Sequence, residues 1–315
     1  VSPLGVAGGR QGRPASAADR DHRPLYDLAV FGVLGAEGYR EVLRYRATAP
    51  WVADGVGHRF GAPGVDGDRV WLCTERDVVC WPGGDRFDQP AFADLHHVAA
   101  TPEGLLAVAT GAGGVVRATD GRFWPVHPGA TAPTTDVRCL PFDDVFHPNH
   151  LVVWRGRTWV TRGGRGDVVP LEGGPPVQVA DVVIHDGFAC DEGVWFTAVD
   201  GRLVLVDLDQ RRVLRSVVIA GDGALGWCRG LVLDGDTAWV GFTRLRATRL
   251  RRNLAWLAGR LRGHTTVGTR PTRVVRVELG TGRVLEECPL EAHGVDAVFG
   301  LCGLPGALVD RYGAP

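Results

Sequence analysis

The chain has 315 residues, a length that suits either two average domains or one large repeat fold. A 45% hydrophobic content and ten Trp supply a core and exclude global disorder; a net charge of -1 lacks the basic excess of a general polyanion binder, so no nucleic acid partner is expected. Gly (45) and Pro (20) fall between short apolar runs, which favours many tight turns and an all-β chain over a few long helices.

Residues 1–24 are rich in Gly, Ala, Arg and Ser without periodicity and read as a flexible tail, leaving 25–315 as one domain. Asp27-Leu28-Ala29-Val30-Phe31-Gly32-Val33-Leu34 reads as a strand and 40–46 as another, with no inner strand before them. A unit then recurs: a polar cluster followed by an apolar residue, a turn at Gly or Asp, and an aromatic-rich strand ending near Thr. Its clearest copy opens His147-Pro148-Asn149-His150-Leu151, turns at Arg155-Gly156 and ends Thr158-Trp159-Val160-Thr161. Earlier copies open at His58-Arg59-Phe60 and at His96-His97-Val98, and later ones at His185-Asp186-Gly187-Phe188 and Cys228-Arg229-Gly230-Leu231. A last inner strand, Val298-Phe299-Gly300-Leu301-Cys302-Gly303, has almost nothing after it.

Repeats of about 40 residues are the size of a four-stranded propeller blade. The longer steps hold insertions at 128–146 and 244–272. One orphan strand at each end is what a propeller closed by strands from both chain ends would leave, an arrangement that removes a free edge. A β-sandwich of hairpins would not leave that pair of orphans. The expectation is therefore an all-β, six-bladed β-propeller closed by both chain ends, with a helical insertion in the last complete blade.

In such a ring the start of each inner strand and the end of the second strand share one face, around the channel mouth. Two positions before the first inner apolar residue come His58, His96, Asn149, Asp186, Arg229 and Phe299; one position before come Arg59, His97, His150, Gly187, Gly230 and Gly300. Strand alternation predicts that His96 and His97 do not both face the mouth, which favours the first set, with His150 and His185 able to replace their neighbours. His150, His185 and Asp186 are candidates for acid–base chemistry, and Asn149, Asp186 and His150 for ligands of a divalent cation. A metal-free polar pocket and a network that only satisfies buried polar groups are the other readings.

The insertion at 244–272 has no acidic residue, and Leu250, Leu254, Leu257 and Leu261 fall at helical spacing, which predicts an amphipathic helix over 248–261. As a basic cap it would favour a small anionic ligand, with His58, His96, Arg229, Arg244 and Arg246 on the substrate side. A membrane-surface helix or a contact between copies in a homo-oligomer competes with that reading. The seven cysteines are scattered without a Cys-x-x-Cys pair and read as small buried hydrophobes, with Cys228, inside a polar cluster, open as a nucleophile. No Gly-x-Ser-x-Gly elbow is present, and Gly111-Ala112-Gly113-Gly114 lies between strands rather than before a helix. No stretch approaches the roughly 18 apolar residues of a membrane span, and 1–24 lacks the apolar segment of a signal peptide; a cytoplasmic location is the expectation.

At His147-Pro148-Asn149-His150, His185-Asp186-Gly187 and Cys228-Arg229-Gly230-Leu231 the chain resembles soluble bacterial six-bladed propellers of the gluconolactonase and senescence-marker-protein superfamily, as architecture over about residues 26–310. That resemblance implies a divalent cation at the channel mouth held by carboxylate and amide side chains, matched in type by Asp186 and Asn149, and the opening of lactones or esters. The acidic ligand that the superfamily supplies from an early blade is replaced by His58 or His96. Two functions follow as expectations. One is a hydrolase or lyase acting on a small anionic molecule. The other is a non-catalytic propeller that presents its Arg-rich face to a protein or membrane partner.

Overall fold

A computed structural model describes residues 28–34, 61–74, 76–81, 84–130, 145–219, 226–244, 270–291 and 295–303. Strand β1 (Leu28–Leu34) is followed by five four-stranded antiparallel sheets in chain order. They are β2–β5 (Gly64–Asp66, Arg69–Cys73, Val78–Trp81, Arg86–Phe87), β6–β9 (Leu95–Thr101, Gly104–Ala109, Gly114–Arg117, Phe123–Pro125) and β10–β13 (Pro148–Trp154, Arg157–Arg162, Asp167–Pro170, Val177–Gln178). Next come β14–β17 (Ile184–Cys190, Gly193–Ala198, Arg202–Asp207, Arg212–Val218) and β18–β21 (Gly226–Asp234, Thr237–Arg244, Arg273–Glu278, Val284–Pro289). The last strand, β22 (Val295–Gly303), returns to pair antiparallel with β1.

The first strands of these sheets touch in a closed ring, β2 to β6, β10, β14, β18, β22 and back to β2, so the sheets are propeller blades. Five blades are complete rather than the expected six. The sixth place in the ring holds a sheet of two strands, one from each end of the described chain. The helix expected over 248–261 lies outside the described residues, and no α-helix occurs among those described; the two helical turns, Thr110–Ala112 and Gly163–Arg165, are single 3-10 turns. No helix of the described residues is long and apolar enough to cross a membrane.

The core lies between blades. Alternation along each strand sends successive side chains to opposite faces. Ala107 therefore joins Trp71, Cys73 and Val98 in one layer while Val108 joins Leu151, Val160 and Val169 in the next. Val152, Trp159, Ile184 and Phe196 form the following layer, and Trp195, Leu203, Leu231 and Val240 the one after it. Trp71, Trp159, Trp195 and Trp239 occupy the same place on four second strands and are all buried, which is why the aromatic strand recurs so clearly in the sequence. The outer strand β17 is exposed along most of its length and carries Arg212 and Arg215, charges that protect an edge from further strand pairing.

The opening of the first blade differs from the expected alignment. His58, Arg59 and Phe60 lie outside the described residues, and the inner strand is placed by Ala62, which bridges in parallel to His97 of the next blade. Gly61 and Ala62 thus stand at the level that His96 and His97 occupy next door. Small residues are needed there. A Cβ on Gly300 of β22 would come within 2.5 Å of the Ala62 Cα and 2.7 Å of the Pro63 Cδ.

Candidate functional site

In four inner strands the pairing register slips at the same place. The slips fall between Leu95 and His97, Pro148 and His150, Ile184 and Gly187, and Arg229 and Leu231. A bulge inserts one residue, breaks the two-residue alternation and re-aims side chains. Neighbours such as His96 and His97, or His185 and Asp186, are therefore both buried in one polar cluster, and the expectation that alternation separates them fails.

One tier of that cluster ties blade to blade. His97 Nδ1 accepts a hydrogen bond from the Leu151 amide at 2.8 Å. Its ring stacks on His150, centroids 3.8 Å apart and planes 7° from parallel. His150 Nε2 donates to the Gly187 carbonyl at 3.0 Å, and Asp186 Oδ2 accepts from the Gly230 amide at 2.7 Å. Side chains thus join β6, β10, β14 and β18 in succession. Threonines that end the second strands add a parallel tier. Thr110 donates to the Pro148 carbonyl, Thr161 to the Asn149 side chain, and the Thr197 hydroxyl accepts from the Asp186 amide.

Asn149 is consumed by this framework. Its Oδ1 accepts from Thr161 and its Nδ2 donates to the Ile184 carbonyl at 3.0 Å. The divalent-cation set of Asn149, His150 and Asp186 does not fit these contacts: the amide oxygen is taken, and His150 directs Nε2 at a carbonyl. Among the described residues no group of three or more His, Cys, Asp or Glu is arranged to hold a metal ion.

The second tier has a different character. His185 Nδ1 lies 3.0 Å from Asp186 Oδ2, while His150 Nδ1 lies 3.5 Å from Oδ1 of the same carboxylate. Burial alone would raise the Asp186 pKa. The His185 and His150 rings and the Gly230 N–H outweigh it and hold the carboxyl well below the usual carboxylate range. Burial, helped by the Arg229 charge and opposed by Asp186, lowers His185 to about 3. His185 is therefore neutral at pH 7, and because a carboxylate only accepts, its proton sits on Nδ1. Its Nε2 lone pair is buried and has no hydrogen-bond partner among the described residues. His96 stacks 6.2 Å from the His185 ring and meets His147 edge-on at 4.8 Å. His96 Nε2 also lies 3.4 Å from Asp94 Oδ2.

Arg229 directly precedes the amide that holds Asp186. Its guanidinium lies over both Trp227 and Phe299, 5.1 and 4.7 Å from their ring centroids.

No family model matches the chain, and no curated protein matches its sequence. The fold is shared. A nidogen/laminin complex structure aligns at a TM-score of 0.51 with 10% identity, over 78% of this chain and 84% of that one. The β-propeller domain of Cps50 (Swd1) from Myceliophteria thermophila aligns at 0.48 with 10% identity, over 73% of each chain. The computationally designed Ika8 protein aligns at 0.43 with 11% identity over 78% of this chain, which spans 65% of that protein's length. Likeness at such identities concerns the β-propeller fold alone; the expected resemblance to six-bladed propellers of the gluconolactonase superfamily has no family match behind it, and the complete blades number five.

Of the residues singled out in the sequence, His96, His150, His185, Asp186 and Arg229 meet at one propeller face. His58 and Arg246 lie outside the described residues. Arg244, at the end of β19, pairs with Glu291 at 3.0 Å, and nearby Arg270 pairs with Glu287 at 2.7 Å. Cys228 is a core residue packed with Leu231 and Val240; burial pushes its thiol well above the ordinary range, which removes the nucleophile reading. Sequence reasoning set His97 aside by alternation and gave His147 no role at the site. The His96-His97 doublet was the available signal for His97, and it becomes legible only with a bulge.

Proposed function

We propose that this propeller is an enzyme of the hydrolase or lyase type, acting on a small anionic molecule at the face where His185, Asp186 and Arg229 meet. The observation that carries the reading is the His185–Asp186 pair: Nδ1 is held on a buried carboxylate, and the opposite Nε2 is left as a buried lone pair. An unpaired buried polar atom costs about 1–3 kcal/mol, a cost that a purely structural histidine would avoid by finding a partner.

In this reading His185 Nε2 accepts a proton from water, for hydrolysis, or from an acidic C–H, for elimination. Asp186 fixes the tautomer and stabilises the imidazolium that forms. Arg229 binds the anionic group of the substrate and keeps it oriented. His97, His150 and Asn149 hold the blades that carry these groups.

The test is a panel of small esters, lactones and β-substituted carboxylates assayed with the wild type, His185→Gln and Asp186→Asn. Turnover of at least one compound, reduced about a hundredfold or more in both variants, is expected. Equal activity in His185→Gln and the wild type would remove His185 as the base. A panel that is neither turned over nor able to raise the melting temperature would favour the non-catalytic propeller.

A further inference from the structure

A cavity of about 570 Å³ lies between the blades β14–β17 and β18–β21, at the end of the strands away from the histidines. His185 opens β14 and Cys190 closes it, about 16 Å further along at the rise of an extended strand, and the turns that follow β14, β18 and β20 all reach this far end. Such a volume holds a drug-sized ligand or a few side chains. The lining is of two kinds. Trp195 and Leu279 are buried apolar residues, with Leu233 partly buried beside them. Around them the turns supply Asp191 and Glu192 after β14, Asp236 after β18 and Glu278 at the end of β20. Arg215 of β17 is the cation of the lining, its guanidinium 6.0 Å from the Trp195 ring centroid.

Other carboxylates of these two blades are matched by cations or donors. Asp234 pairs with Arg276 at 3.0 Å and Asp209 with Arg155 at 2.7 Å, while Glu278 accepts from Thr281 and lies 3.5 Å from Arg283. Asp191, Glu192 and Asp236 have no ion pair or side-chain hydrogen bond among the described residues. Among those residues no three such groups converge as a metal ion requires, so the negative charge is spread along the cavity rather than aimed at one point. An organic cation on an apolar stem matches both kinds of wall, its methylenes on Trp195 and Leu279 and its charged end among the turns. A planar guanidinium can also donate two bonds at once to a carboxylate, which an ammonium does not. Beside the cavity, β17 leaves Val213 and Leu214 exposed, an apolar strip for the residues that flank such a side chain. We propose that this cavity docks an arginine side chain from a basic peptide segment of a partner protein, on a face separate from the one that carries His185.

The probe is acetyl-Leu-Arg-Leu-amide, with the citrulline peptide, isosteric and uncharged, as control. Calorimetric titration of the full chain is expected to show the arginine peptide bound about tenfold more tightly than the citrulline one. Cys190, a half-buried thiol in the cavity lining, reports the place of binding: saturating arginine peptide is expected to slow its alkylation by N-ethylmaleimide several-fold, followed by mass spectrometry. The double variant Asp191→Asn, Glu192→Gln is expected to weaken binding about tenfold and Asp236→Asn several-fold. Glu172→Gln, at an exposed carboxylate outside the cavity, is expected to leave it unchanged. Failure of the arginine peptide to bind, equal binding of the citrulline peptide, equal binding by the double variant, or unslowed alkylation of Cys190 overturns the proposal. The alkylation measurement uses the wild type, so it stands even if a variant fails to fold. Free argininamide bound as tightly as the peptide marks a small-molecule site, and alkylation that slows with protein concentration alone marks a second copy seated there; either result overturns the peptide partner.

Discussion

The Leu151 amide of one blade donates its hydrogen bond to His97 Nδ1 of the preceding blade at 2.8 Å, so a side chain supplies an acceptor on the side of β10 that faces away from its sheet partner β11. His97→Ala would strand that buried N–H and open a cavity beside His150. The expected loss is about 3 kcal/mol in urea unfolding. His97→Asn places an amide oxygen near the Nδ1 position and is expected to recover part of it. Equal destabilisation by Ala and Asn would mean that ring volume, not the acceptor, matters.

Gly230 has φ +75° and lies against the closing strand, where a Cβ would come 2.6 Å from Leu301 Cγ. Gly235, with φ +57°, has open space around it. Gly235→Ala is expected to cost about 1 kcal/mol, the left-handed backbone penalty alone. Gly230→Ala adds a clash and displaces the amide that holds Asp186, so a cost of about 3 kcal/mol is expected. Similar melting temperatures for the two variants would show that the closing strand yields without cost.

These positions also show where the sequence stops being informative. The second strands were legible because each places a large aromatic residue such as Trp159 or Trp195 in a layer between blades and ends in a threonine such as Thr161 or Thr197. The first blade was misplaced because Gly61 and Ala62 do by smallness what His96 and His97 do by hydrogen bonding, and small residues carry no chemical signature. His97 was set aside because alternation was applied to a strand that bulges at that point. Asp186 and His185 were found from residue type, but which ring nitrogen is left as a lone pair depends on a 3.0 Å contact that spacing cannot supply.

Stability is expected to fall on mild acidification. Burial lowers His97 well below its ordinary value of 6.5, and burial with the Arg229 charge lowers His185 to about 3. Below pH 6.5 the unfolded chain takes up protons that the folded chain refuses, so each histidine removes stability from 6.5 down to its folded pKa. By pH 5 the loss is about 2 kcal/mol for His185, and His97 adds to it in the same direction. Asp186, whose folded pKa is depressed, contributes stability above its unfolded value of 3.8 and loses it only at more acid pH. Thermal unfolding across pH 8 to 5 checks this. A flat melting temperature over that range would mean these rings are protonated in the folded state.

One hydroxyl hydrogen-bonds the two-stranded closing sheet to the last complete blade, beside the packing of Leu301 against Gly230 and of Val298 against Gly241. Thr243 Oγ1 donates to the Val298 carbonyl at 3.0 Å and accepts from the Val298 amide at 2.9 Å. Thr243→Val preserves shape while removing both bonds, at an expected cost of about 2 kcal/mol. The loss should be local, because among the described residues β22 has only β1 as a sheet partner whereas the strands of β14–β17 sit in a complete blade. Hydrogen exchange is expected to quicken at 295–303 and stay unchanged at 202–207. Thr281→Val, which removes a hydroxyl bonded to Glu278 on the exposed rim, serves as the control and is expected to alter neither region. Uniform acceleration in Thr243→Val would show that the ring opens as one cooperative unit; unchanged exchange at Val298 would show that pairing with β1 alone holds the closing strand.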